Sequence, residues 1–246
     1  MKVYENVVIG NFLYSLGFSI RSHLDTNIPF PSVVNLLQQT PVDKELGDVL
    51  LTFPGLVRLI EFKMKGASLK KERRRHRALS LALMGENAML VETSRSVHWY
   101  VELSAKNLTA PLISRVVPYL DAFTDSELLR PGGIEEMVEQ TARQAVLEVD
   151  PLSREQARAY LDLVRLTLGK EKPVGAGGLL LVMDTHGCMH FAQVQDLVDL
   201  NLPDRLWLEK VLTGPERQPS DLSIQHEKGG PSFKREPEPE ISFRMK

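Results

Sequence analysis

Three side chains in the first third of the chain have the types and spacing to act on a phosphate. Asp48 and Glu61 stand thirteen positions apart, and Lys63 follows Glu61 by two. Strand side chains alternate with a period of two, so Glu61 and Lys63 share a face wherever this stretch is extended. Two carboxylates brought close together can hold a divalent cation through hard oxygen ligands. Such an ion activates water and neutralises charge building on a phosphate. A lysine beside it steadies the attacking hydroxide or the scissile phosphate with a fixed positive charge. The structural alternative is an edge strand whose exposed Glu and Lys form a weak ion pair. The context favours chemistry, because Glu61 and Lys63 interrupt an otherwise apolar stretch. Charges are expensive to bury there unless they are paired or metal-bound.

The two carboxylates meet only if a hairpin brings them together, and the surrounding residues read as one. Residues 48–53 (DVLLTF) form a nearly all-apolar run, Pro54-Gly55 is a turn dipeptide, and residues 56–64 (LVRLIEFKM) alternate. Val57, Leu59, Glu61 and Lys63 fall on one face, and Arg58, Ile60, Phe62 and Met64 on the other. Upstream, Val7, Val8, Phe12, Leu13 and Leu16 predict a helix over 4–18 with Gly17 as its stop. A short helix is expected at 31–39. Downstream, 69–84 predicts a helix that is basic in its first half and apolar in its second, and 88–93 and 97–103 read as two more strands. This order is that of an α/β (α+β) sandwich with helices on a mixed sheet.

Beyond residue 108 the reading turns helical, with helices expected over 112–123, 134–149 and 154–168 and Ser153 as N-cap of the third. Residues 170–178 read as a linker, 179–184 and 189–194 as a second hairpin, and 194–200 as a helix. The stretch 214–246 carries five prolines and mixed charge, a composition expected to be disordered or ordered by a partner. Asp184, His186, Cys188 and His190 alternate in a pattern that suggests metal ligands. Gly187 is placed to turn the chain between them, however, and zinc sites usually need a second cluster, so a surface hairpin is the preferred reading. Trp99, Tyr100 and Trp207 could stack on bases, although buried core aromatics are commoner.

The net charge of −2 gives the surface as a whole no attraction for polyanions, so any nucleic acid must use a local patch. Residues 70–77 (KKERRRHR) supply one, with six Lys or Arg and a single Glu. Alone, such a run is as readily a solvated helix face; directly after the Glu-x-Lys strand it favours phosphate contact. His76 shares a stripe with Leu69 and Leu83 and is expected to point inward. Cys188 is the one cysteine, which excludes an intrachain disulfide. The N-terminal stretch lacks a signal-peptide pattern, and no run approaches the roughly 18–20 apolar residues of a membrane span. A cytoplasmic protein with no membrane association is expected.

The run Gly47-Asp48-Val49-Leu50-Leu51, followed by Ile60-Glu61-Phe62-Lys63, resembles the PD-(D/E)XK nuclease superfamily. The resemblance covers about the first 107 residues, with Gly47 in the place of the nominal proline. It implies a restriction-endonuclease-like αβββαβ core with a mixed sheet over 1–107. A mostly helical extension with a hairpin over 108–212 and a flexible tail over 213–246 would follow. It implies Asp48 and Glu61 as ligands of Mg²⁺, with Mn²⁺ as substitute, Lys63 as catalytic cation, and Glu5 on the first helix as a further acid of the site. The helix after the Glu-x-Lys strand commonly supplies a basic or amide group, here from among Lys71, Arg74, Arg75 and His76. Lys70, Lys71, Arg74 and Arg75 are the expected nucleic-acid contacts.

The function so implied is metal-dependent phosphodiester hydrolysis, with DNA the favoured substrate. Defence, repair and mobile elements are the settings where such enzymes work. A homodimer or a protein partner would engage the C-terminal region. The competing reading is a catalytically silent nuclease fold that binds nucleic acid or protein. A third is a regulatory partner that docks through its Pro-rich tail.

Overall fold

A computed structural model describes residues 3–25, 27–37, 47–104, 113–123, 130–131, 133–147, 150–169 and 178–194. The helix α1 (Glu5–His23) precedes three strands, β1 (Phe30–Leu36), β2 (Val49–Phe53) and β3 (Leu56–Met64). Next come α2 (Lys70–Ala82), α3 (Val91–Val97), β4 (His98–Ser104), β5 (Ile113–Pro118) and the two-residue β6 (Arg130–Pro131). The helices α4 (Gly133–Ala145) and α5 (Pro151–Leu168) and the hairpin β7 (Gly178–Met183) and β8 (Met189–Val194) follow. All eight strands form one mixed sheet in the order β6-β5-β4-β3-β2-β1-β7-β8. Every neighbouring pair is antiparallel except β3 and β4. Parallel strands need a long crossover connection, which here is the run through α2 and α3.

Helices cover both faces. Val8, Ile9, Phe12, Leu16 and Ile20 of α1 and Ile134, Met137, Ala142 and Ala145 of α4 pack on one side, against Val49, Leu51, Ile60 and Phe62. Leu79 of α2, Val97 of α3 and Tyr160, Leu161 and Val164 of α5 pack on the other, against Leu50, Val57, Leu59 and Tyr100. The alternation read in β3 therefore holds, and both of its faces are buried over most of its length. A charged pair at its end sits beside a closed core rather than on an open edge. Among the described residues no helix is long and apolar enough to cross a membrane.

Several expectations are corrected. Within the helix expected at 31–39, Phe30–Leu36 is instead a strand between β2 and β7, and residues 38 and 39 lie outside the described residues. Pro31 suits the first turn of a helix, but Val33 and Val34 are β-branched; Val33 pairs with Thr52 of β2 and Leu180 of β7, and Val34 with Leu51. Residues 88–93 are no strand; a 3₁₀ turn, Gly85–Leu90, runs into α3. A short apolar run carries no periodicity that separates strand from helix, and this one lies on the crossover. The helix expected over 112–123 is β5 followed by a single 3₁₀ turn, Tyr119–Asp121. Ile113, Val116 and Val117 pair with β4, and Pro118 would break a helix interior.

Gly17 does not stop α1, which continues to His23 because Ile20 completes its buried stripe. Val7, placed on that stripe by spacing, is instead exposed. The N-cap of α5 is Asp150 rather than Ser153: its carboxylate accepts from the N–H groups of Leu152 (3.3 Å) and Ser153 (3.1 Å), with Pro151 behind it. The segment after residue 108 contributes β5 to β8 to the common sheet and one helix to each of its faces. The helix expected at 194–200, the stretch 214–246 and Trp207 lie outside the described residues.

Candidate active site

Asp48 enters the site through backbone pairing just before β2. Its N–H donates to the Ile60 carbonyl (3.1 Å) and its carbonyl accepts from Leu37 N–H (2.8 Å). Its carboxylate Oδ2 accepts from the Phe62 N–H at 2.7 Å. That bond ties Asp48 across the hairpin, beside the two residues that flank Phe62. Gly47 packs close to the site: a Cβ there would stand 3.3 Å from Glu61 Oε2. A proline at this position would crowd the carboxylate.

Lys63 is the hub. Its Nζ lies 2.5 Å from Glu61 Oε1, 3.6 Å from Asp48 Oδ2 and 3.9 Å from Glu5 Oε1. It also donates to the Phe62 carbonyl at 2.8 Å. The structure thus brings Asp48, Glu61, Lys63 and Glu5 together, although Glu5 arrives on a helix more than forty residues earlier in the chain. On the far side of Glu61, Arg75 approaches Oε2 at 3.6 Å and Glu72 Oε1 at 3.3 Å. The Tyr119 hydroxyl donates to Glu72 Oε2 at 3.1 Å.

Burial sets the electrostatics. Asp48, Glu61, Glu72 and Arg75 are each no more than 8% exposed. Desolvation raises the Glu61 pKa to about 8; Asp48 and Glu72 push the same way, and Lys63 and Arg75 pull back. For Lys63 burial works against the charge, yet Glu61 and Asp48 outweigh it and raise its pKa above the ordinary lysine value. Arg75 behaves alike between Glu61 and Glu72. Among the described residues, Glu5, Asp48 and Glu61 surround Lys63, and Glu61 and Glu72 flank Arg75.

The Lys63 ammonium stands where a divalent cation would be attracted, within 3.6 Å of both Asp48 and Glu61. Among the described residues no group of three or more His, Cys, Asp and Glu side chains converges as a metal cage. An ion on Asp48 and Glu61 would therefore complete its shell with water, phosphate oxygen or the Phe62 carbonyl, as Mg²⁺ commonly does with water and substrate. Asp48 and Glu61 are the residues of this site that would hold such an ion.

The other candidates separate. Lys70, Lys71 and Arg74 are exposed on α2, whereas Arg75 turns inward to the carboxylates. His76 also faces inward: Nε2 meets the Leu120 carbonyl at 2.7 Å and the ring packs on Phe123. Tyr100 is buried in the core, and the Trp99 indole N–H donates to the Ser96 carbonyl with Arg58 over its ring. In the β7–β8 turn, Gly187 adopts φ +81°. Asp184 accepts from the N–H groups of His186 (2.9 Å) and Cys188 (2.8 Å) and meets His190 Nε2 at 2.9 Å. These bonds organise a tight turn.

Glu72 and Tyr119 escaped the reading of the sequence. The lone acid within the basic run was the one available signal for Glu72, and Tyr119 had none, since it lies 47 residues further along the chain. No protein-family model, curated protein or solved structure matches the chain.

Proposed function

We propose that this protein is a metal-dependent nuclease of the PD-(D/E)XK type, hydrolysing phosphodiester bonds with Mg²⁺ or Mn²⁺ and acting on DNA. The observation that carries the reading is the convergence of Asp48, Glu61 and Lys63, with Glu5, at the end of β3. The fold adds support. A helix, three antiparallel strands, a helical crossover and a strand parallel to the third agree with the αβββαβ order that this reading expects.

Asp48 and Glu61 hold the ion, which supplies the activation of water and the neutralisation of phosphate charge. Lys63 holds a proton firmly and offers its charge to the hydroxide or the scissile phosphate. Phe62 N–H fixes the Asp48 carboxylate, and Glu5 balances Lys63 from α1. Lys70, Lys71 and Arg74 present an exposed basic surface for the backbone of the substrate.

The test is cleavage of supercoiled plasmid, linear duplex, single-stranded DNA and RNA with Mg²⁺, Mn²⁺ or EDTA. Asp48→Ala and Lys63→Ala should each lower the metal-dependent rate by about 10²-fold or more. Cutting that survives both substitutions sinks the assignment. One observation favours a second reading, a silent fold that only binds: Lys63 already satisfies Glu61 at 2.5 Å, in the place an ion would take. Wild-type protein that binds DNA but neither metal nor cleavage products would establish that reading instead.

A further inference from the structure

Of the four basic residues of α2 expected to touch nucleic acid, Arg75 is the one the fold withdraws. It is 8% exposed, and its guanidinium spans Glu61 Oε2 (3.6 Å) and Glu72 Oε1 (3.3 Å). Its anchor is itself anchored. Glu72 is 1% exposed, and its other oxygen accepts from the Tyr119 hydroxyl at 3.1 Å. The Tyr119 ring lies flat against His98, centroids 4.1 Å apart and planes 2° from parallel. His98 in turn meets the Tyr160 hydroxyl of α5 through Nδ1 at 2.8 Å. A continuous line of buried contacts therefore runs from α5 and the β5 end of the sheet to the second oxygen of Glu61.

We infer that Arg75 is a positioning residue for Glu61, locked in place by Glu72 and Tyr119, and makes no contact with the substrate backbone. The inference rests on the nuclease reading of the site. Lys63 holds Oε1 of Glu61 at 2.5 Å and the Arg75 charge stands 3.6 Å from Oε2, so the carboxylate has a cation on each side. A metal ligand must be held in this way, and groups that orient ligands typically change metal affinity 10–100-fold when lost. Both contacts run through Nη1, which the rigid guanidinium plane holds between the two carboxylates; a lysine ammonium on its flexible stem is not pre-organised at that point. Moving Arg75 to a phosphate would take the cation from buried Glu72 and leave Glu61 with Lys63 alone.

The experiment uses the full chain and two readouts. The first is Mn²⁺ binding by titration calorimetry without nucleic acid. The second is the salt dependence of binding to a labelled DNA duplex with Ca²⁺ present. Arg75→Lys should weaken Mn²⁺ binding by about tenfold or more while conserving charge, and Tyr119→Phe should weaken it less in the same direction. Arg75→Met should leave the slope of log K against log salt unchanged. Arg74→Ala should reduce the steepness by about 0.9, the loss of one phosphate contact.

If Arg75→Met lowers the slope as Arg74→Ala does, and Arg75→Lys binds Mn²⁺ like wild type, the inference is overturned while the nuclease reading stands. Wild-type protein that neither binds Mn²⁺ nor cuts any substrate overturns the nuclease reading and this inference together. Arg75→Lys keeps a cation beside both carboxylates, so it reports on the inference even where Arg75→Met fails to fold.

Discussion

Glu61→Gln separates the electrostatics of the site from its packing, because it keeps the shape of the side chain and removes its titration. Glu61 is 3% exposed and holds its proton up to about pH 8, chiefly because burial disfavours the charge. In the unfolded chain it titrates near 4.5. Between these values the unfolded state has released a proton that the folded state keeps, so raising the pH favours unfolding. The stabilisation is complete below about pH 4.5, is lost as the pH climbs to about 8, and stays lost above. At about 1.4 kcal/mol per unit, this span sets a ceiling of about 5 kcal/mol.

The assay is urea unfolding from about pH 5 to about pH 9 in EDTA, comparing wild type with Glu61→Gln. The stability of the variant relative to wild type should rise across that range by a few kcal/mol, within the ceiling above. At pH 8, Mg²⁺ at a hundred times its Kd should return about 2.7 kcal/mol to wild type, and far less to the variant. Parallel pH profiles for the two proteins would refute the reasoning, since Glu61 would then titrate as an ordinary surface carboxyl.

His98 is buried and its pKa is depressed, by desolvation first and then by the Arg75 and His76 charges. Its unfolded form takes a proton near pH 6.5 that the folded form refuses, so stability present above that value falls as the pH drops below it. His98→Phe should flatten that acid limb in denaturant titrations, at a loss of about 1 kcal/mol for the Tyr160 hydrogen bond. Gly55 in the β2–β3 turn lies against the backbone carbonyls of Gln144 and Leu147, where a Cβ cannot fit. Gly55→Ala should lower the urea midpoint by the equivalent of about 1–3 kcal/mol through overpacking, and an unchanged midpoint would contradict the α4 contact. Asp150→Ala removes the cap of α5 and should destabilise the protein by about 1 kcal/mol in the same assay, with Asp150→Ser close to wild type.

Local pattern carried the strand pair and the placement of its charged residues. The period-two alternation of 56–64 put Glu61 and Lys63 on one face, and Pro54-Gly55 marked the turn that folds Asp48 toward them. The charge and apolar halves of 69–84 were equally legible as α2, since an amphipathic helix writes its period into the chain. The short runs were not. Residues 30–36, 88–93 and 113–118 hold too few positions to show a period, and each took the state its neighbours in space offered. β1 exists because β2 and β7 flank it, β5 because β4 has an open edge, and α3 because the crossover from β3 to β4 passes through it.

The same division runs through the site. The sequence by itself determined which groups could act as ligands and cation: Asp48, Glu61, Lys63 and, through the resemblance, Glu5. Tertiary structure alone decided that Arg75 turns inward while Lys70, Lys71 and Arg74 stay outside. On α2 adjacent residues point about 100° apart, so a run of cations looks uniform in sequence and is divided only when one helix face meets the sheet. Glu72 and Tyr119 become partners only there, because their contact depends on the packing of α2 against the end of β5, which no local pattern encodes.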